Sequence, residues 1–266
     1  MFGIYNLKAR VGPIRRSSIV RKLENFLRFS GKRFVSLGDT NSSFYRPGWE
    51  TVDLINADHI IDFRKEKLPF RNETIDVIHL SHVIEHISYE DGLRLFEEIY
   101  RCLKPGGCCR FSTPDMDLLL ERYRDANWRF FLQADGNYIL SRVCKADLPP
   151  ESLLIHNRLV GWFASYSGRL DTGGGPVVDK QLIEEKLATL SKYEFRDWCV
   201  SLLQQDRIHA HIHLYDYEEL RHSLEKAGFQ KIRKVSFGES DCQYMINPSI
   251  DILKHKIYSL YVEAIK

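Results

Sequence analysis

The sequence predicts an α/β fold: a mostly parallel sheet with helices packed on both faces. Three observations carry this. Short apolar runs alternate with helical segments between Arg33 and Asp115. The first run closes on a glycine, Gly38. The runs end in polar residues, at the strand ends where open α/β sheets bind ligands.

The elements follow in order. Arg33-Phe34-Val35-Ser36-Leu37 reads as the first strand and Gly38 as its turn. Thr51-Val52-Asp53-Leu54 and Ile60-Ile61-Asp62-Phe63 read as the second and third strands, each ending near an acid. The gap from Leu37 to Thr51 is short, because a whole crossover takes at least about ten to twelve residues. The first helix is therefore abbreviated. Asp76-Val77-Ile78-His79-Leu80 is the fourth strand, and Ser81-His82-Val83-Ile84-Glu85-His86 opens the helix after it. Leu103-Lys104-Pro105-Gly106-Gly107 turns the chain into a fifth strand that reaches Thr113-Pro114-Asp115. Further on, Asp216 caps a helix that begins at Tyr217 and stops before Gly228.

These residues resemble a known family. "LPFRNETIDVIHLSHVIEHI", then "EEIYRCLKPGG" and "STPD", are similar to the class I S-adenosylmethionine-dependent methyltransferases. The nearest branch is the one found in bacterial glycan and lipopolysaccharide biosynthesis. "GDTNSSFYRPGWETVDL" has the spacing of that branch's first motif, and "HIHLYDYEELRHSLEKAGFQKIRKVSFGES" and "SLYVEAIK" match its last helix and strand pair. The resemblance covers roughly 33–115 and 209–266. It implies a Rossmann-like seven-stranded sheet in the order 3-2-1-4-5-7-6, with 259–266 antiparallel beside the fifth strand. It also implies S-adenosylmethionine as cofactor and a sugar or other glycan-pathway small molecule as acceptor. One departure stands out: the second glycine of the first motif is Thr40, preceded by Asp39. A β-branched residue is stiff where a ligand needs close backbone approach. Two alternatives therefore stay open, a methyltransferase of a lipid or natural product and a non-catalytic protein on the same fold.

Composition bounds the rest. The chain has 266 residues, 44% of them hydrophobic, which suits one packed domain with an insertion. A net charge of +2 gives no field for nucleic acid. No apolar run approaches the roughly eighteen residues of a membrane span. Residues 1–16 lack the apolar core of a secretory signal. The six cysteines form no C-x-x-C pair and read as reduced thiols. Together these point to the cytoplasm. Three regions result: a basic N-terminal helical segment (1–32), a core (33–115 and 208–266), and an insertion (116–207) capping the acceptor side. The N-terminal segment is helix-forming over about 17–29. Its basic face either covers the sheet edge or makes peripheral contact with an anionic surface. Aromatics of the insertion suit a satellite core or a sugar-binding wall.

The candidate site residues fall in two groups. Gly38, Asp53, Leu54, Asp62, Phe63, Ser81 and His82 line the cofactor crevice: Asp53 faces the ribose hydroxyls, Asp62 the adenine edge, and Phe63 the ring. His82, His86, His211 and His213 are the candidate proton acceptors on the acceptor side, with Asp115 and His209 beside them. A hydroxyl acceptor requires such a base. His82, Glu85 and His86 share a face at helical spacing, and H-x-x-E-H is also a metal-ligand arrangement. Because the family carries this string widely without an ion, no metal is assigned. A metal would need a further ligand from His209, His211 or His213. In an extended chain those three would share one face. Oligomeric state is not legible.

Overall fold

The computed structural model describes residues 31–38, 48–134, 155–164, 178–202, 210–246 and 250–266. The N-terminal helix, the abbreviated first helix, Asp39, Thr40 and His209 lie outside the described residues.

The sheet is seven-stranded, with β1 (Phe34–Leu37), β2 (Trp49–Asp53), β3 (His59–Ile60), β4 (Ile75–Ser81), β5 (Leu103–Pro114), β6 (Lys231–Val235) and β7 (Ser259–Ile265) in the order β3-β2-β1-β4-β5-β7-β6. The first five strands pair in parallel. β7 enters antiparallel beside β5, from Cys108 opposite Ile265 to Pro114 opposite Ser259. This is the predicted topology.

Burial explains the strands. Six of the seven residues of β4 are buried, as expected for a central strand covered on both faces. Alternation along β1 separates two cores. Val35 and Leu37 join a cluster with Leu95, Phe96 and Ile99, whereas Phe34 joins Trp49, Val77, Met245 and Ile250. The first face is covered by α1 (Tyr89–Cys102) and by the helix Tyr217–Lys226. Among the described residues the second face is covered by the segment around Met245 and Ile250, where the sequence predicted helices.

Helix α1 buries Gly92, Leu95, Phe96, Ile99 and Cys102, one stripe at helical period. Its N-cap is Ser88, whose hydroxyl accepts from the Asp91 amide at 3.1 Å. The predicted helix start at Ser81–His86 is thus corrected. Residues Ile84–His86 form a separate single 3-10 turn before α1. The predicted turn at 103–107 is likewise part of β5, whose pairing with β4 is irregular between Ile75 and Val77.

Between β5 and residue 210 come α2 (Met116–Arg124), α3 (Trp128–Ala134), α4 (Ile155–Ala164), α5 (Lys180–Thr189) and α6 (Lys192–Ser201). They bury Met116, Leu119, Phe131, Phe163 and Phe195 together with Leu214 and Tyr258 from the core. Most of the aromatics there are packing residues, as the satellite-core reading had it. Asp216 caps the next helix, α7 (Tyr217–Lys226), accepting from the Glu219 amide at 2.7 Å.

Candidate active site

The site forms where β1, β2, β4 and β5 end. Gly38 follows β1 with φ +75°, and its amide donates to the Val52 carbonyl at 2.8 Å. A Cβ there would lie 2.2 Å from Cγ2 of Val83, so both the backbone conformation and the space demand glycine. Asp53 closes β2, half-buried, and Oδ1 accepts from the Leu54 amide at 2.6 Å. Phe63 packs on the edge of the sheet core. Ser81 closes β4 and accepts from the Ser112 hydroxyl at 2.9 Å.

These strand ends fit an adenosyl group in part. Asp53 offers an acidic acceptor for two hydroxyls, beside Leu54 and near the Gly38 turn. Asp62 behaves differently. It lies beyond the short β3, and its carboxylate is gripped by Arg64 through Nε and Nη2 at 2.9 and 3.0 Å. Hydrogen bonds from Arg64 hold it down at about 2. An adenine contact through that carboxylate requires Arg64 to move aside. Residues 39–47, with the departure at Asp39 and Thr40, lie outside the described residues.

A second cluster of side chains is built around His82. Its backbone is left-handed, φ +56°, and its amide donates to the Ser112 carbonyl at 2.8 Å. That turn sends the ring into the protein. Nδ1 lies 2.9 Å from Oε1 of Glu85, and Nε2 lies 2.8 Å from the Ser259 hydroxyl. The ring packs against that of His255 at 4.0 Å, tilted by 51°, and meets Tyr258 edge-on at 5.6 Å. Burial, with His82 alongside, pushes the His255 imidazole down to about 3. His255, Tyr258, Ser259 and Trp162 were not singled out from the sequence. Nothing local marks them, because His82 meets Ser259 across 177 positions.

Glu85 is fully buried. Burial pushes its carboxyl up, but His82, His86 and His211 outweigh this and hold it at about 2. Its carbonyl accepts from the Ile212 and His213 amides at 2.8 and 3.3 Å, which ties the 210–216 segment to the 3-10 turn. His86 contributes Nδ1 to the Ala210 carbonyl at 3.0 Å and turns Nε2 toward Glu85, 4.0 Å away. Its ring stands 5.0 Å from that of His211. His211 bonds the Trp162 carbonyl through Nδ1 at 2.6 Å, and burial pushes its imidazole down to about 4.

The structure therefore gathers His82, His86 and His211 and leaves His213 out. His213 is buried elsewhere: Nε2 lies 3.1 Å from Arg196 Nη1 and 3.3 Å from Glu219, and the ring packs on Tyr89 and Tyr215. The segment has no regular strand structure, so the shared face expected of alternating histidines does not form. Asp115 caps α2 and pairs with Lys234 at 3.1 Å.

Residues 30–144 match the family model described as a methyltransferase domain. Among curated proteins the chain is similar to the ubiquinone/menaquinone biosynthesis C-methyltransferase of Vibrio campbellii, 27% identical over 128 residues, 46% of this chain and 48% of that one. The corresponding protein of Methylococcus capsulatus is 28% identical over 102 residues, 36% of this chain and 40% of that one. The chain thus spans about half or less of the length of these relatives. Among solved structures, an S-adenosylmethionine-dependent methyltransferase from Mesorhizobium loti aligns at 17% identity over 88% of this chain and 90% of its own, TM-score 0.40. One from Archaeoglobus fulgidus aligns at 13% identity over 92% and 94%, TM-score 0.40. The match over 30–144 marks that part of the chain as similar to a methyltransferase domain, and the sheet order β3-β2-β1-β4-β5-β7-β6 is the one expected of the class I methyltransferase fold.

Proposed function

We propose that the chain methylates an oxygen or nitrogen of a sugar or other glycan-pathway small molecule, with His82 as the base. The observation that carries this is the line Glu85–His82–Ser259, with Nδ1 of His82 paired with Oε1 of Glu85 at 2.9 Å and Nε2 hydrogen-bonded with the Ser259 hydroxyl at 2.8 Å. The buried carboxylate holds the proton on Nδ1 and leaves the Nε2 lone pair to accept from a hydroxyl. Ser259 fills that place here, and an acceptor hydroxyl arriving beside it can give up its proton the same way. Around this ring, Nε1 of Trp162 and Nδ1 of His255 are buried with no hydrogen-bond partner among the described residues. Such groups suit a polar ligand. Trp162 and Tyr258, 4.8 Å apart, supply the aromatic wall that suits a sugar ring.

When bound, S-adenosylmethionine supplies a methyl group on a sulfonium, a leaving group already activated. The chain's own task is then placement and proton removal. Asp53 and the Gly38 turn anchor the donor on one side of the crevice, and His82 and its neighbours hold the acceptor on the other. Fixing the pair at near-attack distance is worth roughly 7–11 kcal/mol.

A second reading is methylation of an aromatic or lipid-linked acceptor. The half-length likeness to ubiquinone/menaquinone C-methyltransferases favours it. The experiment is to follow label from methyl-tritiated S-adenosylmethionine into extracts supplied with nucleotide sugars or with hydroxylated aromatic lipids. Label in the sugar fraction, lost in His82→Gln, supports the first reading. Label only in the lipid fraction moves the assignment to the second. If S-adenosylhomocysteine fails to bind, both fall, and the non-catalytic alternative raised by Asp39 and Thr40 takes their place.

A further inference from the structure

We propose that Glu85, His86 and His211 form a binding site for a divalent transition-metal ion. One ligand atom from each residue lies within 4.8 Å of the other two. The set is two imidazoles and one carboxylate, a common donor set for zinc and for non-haem iron.

Three features set this cluster apart from an ordinary polar network. First, both imidazoles are oriented by backbone. Nδ1 of His86 is held by the Ala210 carbonyl at 3.0 Å and Nδ1 of His211 by the Trp162 carbonyl at 2.6 Å. Each bond places the proton on Nδ1, and Nε2 of His86 then carries its lone pair toward Glu85. Metal-bound histidines are normally fixed by such an outer partner. Second, Nε2 of His86 faces Oε1 of Glu85 at 4.0 Å, too far for a hydrogen bond. That spacing is near the separation of two ligands on one tetrahedral zinc, about 3.3 Å from bond lengths near 2.0–2.1 Å. With the three atoms within 4.8 Å of one another, a contraction of roughly 1.5 Å at most brings them to that separation. Third, the carboxylate has an outer shell of its own, with His82 Nδ1 at 2.9 Å and the Thr113 hydroxyl at 3.3 Å.

Three protein ligands leave at least one coordination position open, as catalytic metal sites do. This deepens the reading of the acceptor pocket, on which its functional meaning rests, because an ion there could hold and polarise an acceptor oxygen. Binding of the ion itself does not depend on that reading.

The test uses the untagged full chain, stripped with chelator and titrated with Zn²⁺ and with Co²⁺. Calorimetry and metal analysis after dialysis should give one equivalent per chain, and bound Co²⁺ should develop the visible absorption of a low-coordinate site. His86→Ala and His211→Ala should each lose at least roughly a hundredfold in affinity, since outer-shell changes alone cost about 10–100-fold. His222→Ala removes a histidine whose side chain is 62% exposed and should bind as the wild type does. X-ray absorption on zinc-loaded wild type counts imidazoles without relying on any variant's folding. Two imidazoles with oxygen donors support the site. No stoichiometric binding by the wild type, equal binding by all variants, or a sulfur-ligated ion overturns it. S-adenosylhomocysteine affinity, measured in parallel, should not change in His86→Ala or His211→Ala. A metal result can therefore fail while the methyl-transfer reading stands, and the reverse.

Discussion

His211 and His213 stand two residues apart and belong to different parts of the molecule: His211 faces His86 across 5.0 Å, and His213 is bound to Arg196 at 3.1 Å. The first lies in the pocket of His82. The second locks α6 to α7 through Arg196 and Glu219. His213→Ala should therefore cost stability, about 1–3 kcal/mol for buried partners losing a hydrogen bond, with little loss of turnover in the protein that remains folded. Urea unfolding alongside single-turnover methylation checks this. A large loss of turnover at unchanged stability would put His213 back among the proton acceptors.

His82 should separate chemistry from donor binding. His82→Gln keeps a polar side chain of similar reach but no base. Turnover should fall roughly a hundred- to ten-thousand-fold, the usual share of general base catalysis. Glu85→Gln should lower turnover through the same nitrogen, because the amide no longer fixes the proton on Nδ1. In both variants S-adenosylhomocysteine should bind within a few-fold of wild type by calorimetry. Loss of that binding would make His82 a cofactor residue first.

Asp53 is tested from the other side of the crevice. Asp53→Ala removes the acceptor for the ribose hydroxyls and should weaken S-adenosylhomocysteine binding by about 1.5–3 kcal/mol, the range for hydrogen bonds to a charged group. Asp62→Ala, in contrast, first releases Arg64, and its effect should be smaller. Equal affinities for wild type and Asp53→Ala would remove the ribose assignment.

At Gly38, alanine meets two obstacles. The φ of +75° strains any side chain, and the new Cβ would sit 2.2 Å from Val83. Gly38→Ala should destabilise by about 1–3 kcal/mol or more. Adding Val83→Ala should recover the steric share and leave the backbone share. Differential scanning calorimetry of the single and double variants separates the two. No recovery would mean that the clash is relieved by another route.

Acid should weaken the fold through Glu50. Burial pushes its carboxyl up, but hydrogen bonds from Arg33 at 2.6 and 2.8 Å and from His59 outweigh this and hold it at about 2. The folded-state value is below the unfolded one. Its contribution is therefore complete above about 4.5 and is lost as pH falls toward 2. The loss is on the order of 2–3 kcal/mol. Chemical unfolding from pH 6 to pH 2.5 should show a steeper decline for wild type than for Glu50→Gln. Parallel curves would assign the decline to other carboxylates.

The sheet was legible because its signals are local. Apolar runs and strand-end acids each occupy a few adjacent residues, and Asp216 before Tyr217 carries its own capping chemistry; the strand order and the antiparallel last strand came from the resemblance. The clustering of His82, His86 and His211 was legible in part and its geometry was not. His82, Glu85 and His86 suggested a helical face, yet Ser88 followed by Asp91 is the stronger start signal, and it places α1 beyond His86. The left-handed turn at His82 rests on a bond to Ser112 that no spacing announces. At Asp62 the sequence did not show that Arg64, two residues on, pairs with its carboxylate. Trp162, His255, Tyr258 and Ser259 come to His82 only through folding.

The bond from His82 to Ser259 also bears on how the molecule assembles. A ring closed over 177 positions forms late, because the entropy of closing so long a loop must be met before the contact stabilises anything. The strands β1 to β5 can pair while β7 is still free, and in that interval the crevice has its donor side and lacks the wall that faces the acceptor. The contact between His82 and Ser259 therefore waits on the docking of β7 along β5. A partly folded chain could hold a donor without being able to use it.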